Sequence, residues 1–167
     1  IQRMVTIPEG MPSIMVHERL MANDRLKGSI PVPAEGSVLP DSYAFEKGES
    51  RAAVLKRMQD AMKKSVDELW PKRSKTTVVK TPQEALALAS IVEKETGRSS
   101  DRALVSAVFT NRLNKGMLLQ TDPTVIYGLG PKFDGNLRKA DLRKDSPYNS
   151  YMRKGLPPTP IAMPSKE

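Results

Sequence analysis

Apolar positions recur along this chain mainly at helical spacing. Val54, Met58, Met62 and Val66 fall at four-residue steps with Leu55 and Leu69 beside them. That stripe predicts a long amphipathic helix, opened by Gly48-Glu49-Ser50 and stopped near Trp70 by Pro71. From Ala85 to Val92 the chain is apolar on nearly every face, which predicts a helix packed inside the protein. Thr81-Pro82-Gln83-Glu84 signs its start with an N-cap threonine, a proline at the first helical position and a glutamate able to close a capping box. Leu104, Val105, Val108, Phe109 and Leu113 predict a third helix over residues 102–113, capped by Ser99-Ser100-Asp101 and ended by Gly116. Its wide apolar face suits packing against the second.

The remaining pattern is shorter. Residues 3–7 read as a strand ended by Pro8-Glu9-Gly10, and residues 12–22 as a helix with Ile14 and Leu20 facing inward. Pro31 and Pro33 mark residues 27–36 as a linker, which predicts a small strand-helix module over residues 1–35 and a larger domain over 36–167. On that division residues 1–27 are dispensable for the fold of the remainder. Residues 38–45 read as extended and 76–79 as a short strand. Asp122 can cap a short helix begun by Pro123 and closed by Gly128, and Ser146-Pro147 opens another that stops at Gly155. Leu156-Pro157-Pro158-Thr159-Pro160 must be stiff and extended, a candidate cleft wall. The fold class is α+β and mainly helical.

Composition narrows the partners. With 167 residues, 38% of them hydrophobic, the chain can bury one core, or one core and a small satellite. It has no cysteine, so disulfides and thiolate chemistry are excluded. His17 is the sole histidine and has no second ligand type beside it, so no metal site is expected. The formal charge of +8 suits an anionic polymer or a phospholipid surface. Nucleic acid fits less well, because the Lys and Arg residues are spread among acids and only 5% of residues are aromatic.

The candidate chemistry sits where the buried helix runs into Glu93 and Glu95. Two residues apart is about 200° around a helix, so only one of them faces a given site. Glu93 continues the face of Ala85, Leu86 and Ala89, whose small residues leave room for a ligand; Glu95 follows the bulkier stripe of Leu88, Ile91 and Val92. Apolar neighbours favour the neutral form that a general acid needs, so a glutamine at Glu93 is expected to keep or raise stability. Tyr148, Asn149 and Tyr151 offer flat apolar faces with polar tips, suited to pyranose rings or to anchoring the loop on the core. Gln120 has no local structural task.

ASIVEKETG, VFTNRLNKGMLLQTDPTVIYG and SPYNSYMRKGLPPTPIA resemble the catalytic region of the YceG-like (MltG) family, the membrane-anchored endolytic murein transglycosylases. The likeness is strong over residues 82–162 and looser over VTIPEG from Val5 and GSVLPDSY from Gly36. It implies a lysozyme-like domain, similar to spore-cortex lytic enzymes, behind a LysM-like module. It places the acid/base on Glu93 and sugar contacts at Gln120, Thr121, Asp122, Tyr127, Tyr148, Asn149 and Tyr151. The family usually begins with a transmembrane helix, and no run here approaches the ~20 apolar residues a span needs. Around Met163-Pro164 the family has an asparagine before the proline and continues, so the chain is expected to be a C-terminally incomplete fragment. Peptidoglycan is the implied partner, with peptidoglycan synthases as further candidates, at the periplasmic face of the inner membrane.

The implied reaction cleaves between N-acetylmuramic acid and N-acetylglucosamine and leaves a 1,6-anhydromuramyl end. A single acid/base and no cofactor suffice, because the sugar's own 6-hydroxyl attacks. A hydrolase would need a second carboxylate, about 5–9.5 Å away, for which Asp122 and Asp141 are candidates. A binding module that holds glycan without cutting is the alternative class. A pyridoxal-phosphate aminodeoxychorismate lyase, another label the family has carried, lacks a recognisable Schiff-base lysine and a glycine phosphate cup.

Overall fold

The computed structural model describes residues 3–166 and has two compact units. One comprises Ile1–Arg73 with Ala162–Glu167, the other Ser74–Ile161. The class is α+β. Among the described residues no helix is long and apolar enough to cross a membrane.

In the first unit, β1 (Arg3–Ile7) pairs antiparallel with β2 (Asp41–Phe45), Val5 opposite Tyr43. Between them lies α1 (Ser13–Ala22), and α2 (Arg51–Leu69) follows β2. A single cluster draws Val5, Ile7, Val16, Leu20, Leu26, Ile30, Val38, Val54, Leu55 and Met58 together with Met163. The supposed linker is therefore part of the core: Leu26 and Ile30 are 3% and 7% exposed. The division expected at residue 35 falls at Arg73, because a two-stranded sheet and a ten-residue helix cannot bury their apolar faces alone and use α2 to do so. Ile14 points outward at 50% exposure while Leu20 is fully buried. Polar side chains from outside α1 complete it: Glu35 of the following loop accepts from the Ser13 N–H at its start, and Arg51, the first residue of α2, donates to the Leu20 and Asn23 carbonyls at its end. Met163 returns to this unit, exchanging backbone hydrogen bonds with Gly10 and Met11.

The second unit contains α3 (Pro82–Glu95), α4 (Ser99–Asn114), α5 (Asp122–Leu129) and α6 (Lys139–Arg143). α3 starts as its sequence requires: Thr81 accepts from the Glu84 N–H, Pro82 opens the helix, and the Glu84 carboxylate accepts from the Lys80 N–H. Ala87, Leu88, Ser90, Ile91, Val92 and Glu93 are buried. α4 contacts α3 but turns fewer apolar groups inward than its composition predicts. Phe109 is buried, whereas Leu104 is 69% and Val108 41% exposed. The inward stripe runs through Arg102, Val105, Phe109 and Leu113, and Leu104 and Val108 lie on turns rotated away from it.

Three local expectations change. Residues 76–79 form no strand. The segment from Ser146 to Gly155 is a series of turns and not a helix: the Tyr151 N–H goes to the Asn149 side-chain oxygen, and the Asn149 N–H and the Met152 N–H close short turns on Ser146 and Asn149. α5 ends at Gly130, with φ +57°, and not at Gly128. Gly128 is needed for space: a Cβ there would meet Tyr148 Cβ at 3.2 Å and Ser146 Oγ at 3.3 Å.

Candidate functional site

Every candidate catalytic or sugar-contacting residue named from the sequence lies in the second unit. The last turn of α3 supplies both glutamates, and their surroundings are opposite. Glu93 is buried and faces Arg102 in the first turn of α4, with Nη2 to Oε2 at 2.8 Å and Nη1 to Oε1 at 3.3 Å. The side chains are 3% and 12% exposed. A guanidinium aligned in this way meets both carboxylate oxygens in two charge-assisted hydrogen bonds. The apolar surroundings expected from sequence are thus replaced by a charge partner, which the sequence pattern did not reveal. Glu95 is exposed and accepts a hydrogen bond from the Thr121 hydroxyl.

Thr121 is itself fixed by a buried network. Its N–H donates to Ser150 Oγ at 3.0 Å, and its carbonyl accepts from Thr124 Oγ1 at 2.8 Å and from Ser150 Oγ at 3.2 Å. Thr121, Thr124 and Ser150 are 2%, 0% and 4% exposed, so these bonds are shielded from water and hold the turn before α5 in one place. Gln120, next in line, is exposed with its N–H on the Ser150 carbonyl at 3.1 Å. Its φ of +51° is the left-handed conformation that non-glycine residues seldom adopt.

Asp122 does not cap α5 with its side chain; it accepts from the Tyr151 hydroxyl. Burial, together with Asp122 and the nearby Glu95 carboxylate, pushes the Tyr151 phenol up to about 12. Glu95, Thr121, Asp122 and Tyr151 therefore form one polar group at the end of α3, with Arg112 close enough to bear on the phenol.

Tyr148 belongs to a neighbouring wall. Its ring lies 5.0 Å from that of Tyr127 at 60°, and its hydroxyl pairs with Thr159 Oγ1 at 2.9 Å. Residues 156–161 form a strap across this side, and the Ile161 N–H donates to Ser90 Oγ at 3.0 Å, one turn before Glu93. Asn149 is 1% exposed, and its amide donates to the Leu142 and Lys144 carbonyls while its oxygen accepts from the Tyr151 N–H. Both bonds from its amide nitrogen are spent inside the protein, which holds the loop against the end of α6. Asp141 sits at the start of α6, where its carboxylate accepts from the Arg138 N–H. Among the described residues no cluster of acids and histidine could hold a metal.

The sequence model of the YceG-like family matches residues 1–167, and the chain belongs to that family. It is 38% identical over 147 residues to an endolytic murein transglycosylase of Bacillus subtilis (strain 168), covering 85% of this chain and 39% of that protein. To the endolytic murein transglycosylase of Streptococcus pneumoniae serotype 2 (strain D39) it is 36% identical over 137 residues, 78% of this chain and 24% of that one. The chain thus spans well under half the length of these relatives. A crystal structure of a yceG-like protein from Listeria monocytogenes superposes with a TM-score of 0.76 at 29% identity, over 98% of this chain and 64% of that one.

Proposed function

We propose that the second unit carries a lytic site for peptidoglycan, cleaving the bond between N-acetylmuramic acid and N-acetylglucosamine to leave a 1,6-anhydromuramyl end. The observation that supports it most is the pair of environments at the end of α3, one glutamate locked in a buried ion pair and the other open and oriented by Thr121, in a chain whose relatives bear the name endolytic murein transglycosylase. One carboxyl is enough. As an acid it protonates the glycosidic oxygen, and as a carboxylate it then takes the proton of the sugar's 6-hydroxyl as that oxygen attacks C1.

The geometry favours Glu95 for this role over Glu93, the residue that the resemblance implies. Glu95 is open to a glycan laid over the end of α3, and the Thr121 hydroxyl is in place to hydrogen-bond the anion left after proton transfer. Glu93 would first have to leave Arg102 inside the protein, and such a pair is costly to break. We assign Glu93 the task of holding α4 against α3. We assign Gln120, Asp122, Tyr127, Tyr148 and Tyr151 as glycan contacts, supported by the Asp122–Tyr151 hydrogen bond beside Glu95 and the Tyr127–Tyr148 ring pair on the neighbouring wall, with Thr121 orienting the acid. The lysozyme-like character of this unit, a LysM-like role for the first, synthase partners and work at the periplasmic face of the inner membrane belong to the same reading.

Digestion of purified sacculi with the purified chain, followed by mass analysis of the released muropeptides, tests it. Products one water lighter than hydrolysed muropeptides are expected. Plain reducing ends would make the enzyme a muramidase, and no release would favour a binding module.

A further inference from the structure

Beside Tyr148 the second unit has a cavity of about 260 Å³, framed by Tyr148, Arg153, Lys154, Leu156, Pro157 and Pro158. Its walls are stiff. Prolines fix the backbone on one side, and the Tyr148 ring is held by Tyr127 and Thr159 on the other. Its two cations are not equivalent. Arg153 is engaged by Asp145 through Nε at 2.8 Å and Nη2 at 3.0 Å, whereas Lys154 makes no hydrogen bond or ion pair among the described residues.

The backbone adds donors at the same place. The N–H groups of Lys154, Gly155 and Leu156 enter no hydrogen bond among the described residues, and Gly155 turns the chain with φ +85° and nothing within 4 Å of where a Cβ would stand. Consecutive free N–H groups around a left-handed residue make an anion-receiving concavity. Pro157 and Pro158, which have no N–H, follow at once, so these backbone donors precede a stretch of the lining that supplies apolar surface. The strap that lines it continues to Ile161, whose N–H is on Ser90 of α3.

We propose that this hollow is a subsite for a carboxylate carried by the glycan, bound by Lys154 and the adjoining N–H groups while its apolar stem lies on Tyr148 and the prolines. This rests on the glycan reading above and adds the feature of the strand that is recognised. Two sources share that chemistry. One is the free lactyl carboxylate of a stripped muramic acid, and the other is a carboxylate of an attached stem peptide.

Three probes distinguish them, and none contains the bond to be cleaved: the disaccharide N-acetylglucosaminyl-N-acetylmuramic acid, the same disaccharide bearing its tetrapeptide, and chitobiose, which has no lactyl group. Binding is read by NMR titration of the full chain. At least one carboxylate probe should bind more tightly than chitobiose, and Lys154→Met should weaken that probe about tenfold, the size of one charge-assisted hydrogen bond. Chitobiose binding should be unaffected and Lys154→Arg should restore the loss. The weakened probe identifies the source. Equal weakening of chitobiose, or no weakening of either carboxylate probe, overturns the subsite while leaving the glycan reading intact. If none of the three binds, the glycan reading fails and the subsite falls with it.

Discussion

Glu93→Gln separates the two roles that the last turn of α3 can play. Glu93 and Arg102 form an ion pair with side chains 3% and 12% exposed. Removing one charge from such a pair costs about 3–5 kcal/mol because the other remains buried. The new amide oxygen still accepts one hydrogen bond from Arg102, which recovers about 1 kcal/mol. The net loss is about 2–4 kcal/mol, and at about 2–4 °C per kcal/mol for a chain of this size the melting temperature falls on the order of 10 °C. That is the reverse of what apolar neighbours alone predict. Coupling Glu93→Gln with Arg102→Met should recover most of the loss, since the stranded charge is gone. Glu95→Gln changes an exposed group and should melt within about 0.5 kcal/mol of the wild type. Its anhydro-product formation should fall by about 10²–10⁴, the usual contribution of positioned proton transfer. The assay pairs calorimetry with muropeptide release at a temperature where every variant is folded. A Glu93→Gln protein that melts like the wild type yet loses turnover, beside an active Glu95→Gln, would refute the reasoning and return the acid/base to Glu93.

Other consequences are independent of that pair. Asn149→Asp sets a carboxylate against the Leu142 and Lys144 carbonyl oxygens, so it should destabilise by about 2 kcal/mol or more in thermal melts. Deleting residues 1–27 removes Val5, Ile7, Val16 and Leu20 from the core they share with α2, so circular dichroism should show the first unit losing its cooperative transition. The phenols of Tyr43 and Tyr151, both pushed up to about 12 by burial first, should add their phenolate absorbance only near pH 12, and Tyr151→Phe should remove one of the two. Because these folded values lie above the ~10 of an unfolded tyrosine, the stabilisation is complete below about pH 10 and is lost as pH rises toward 12.

What the sequence determined by itself was local. Thr81, Pro82 and Glu84 set the start of α3 through bonds within five residues, and the Val54-Met58-Met62 stripe set the inward face of α2, because a helix converts spacing directly into direction. The run of residues shared with relatives was also legible, since it needs no geometry. The partners of each glutamate were not. Arg102 lies nine residues from Glu93 and Thr121 twenty-six from Glu95, so packing of α4 and α5 on α3 decided which carboxylate was paired inside and which met solvent. The same holds for Asn149, whose amide nitrogen is bonded to carbonyls at the end of α6 and whose oxygen is bonded to the Tyr151 N–H, partners that its sequence neighbours do not announce. The boundary near residue 35 failed for a related reason. Prolines mark where a chain cannot be helical, but only the shared burial of Leu26, Ile30 and Met163 with α2 shows which segments need one another to leave water.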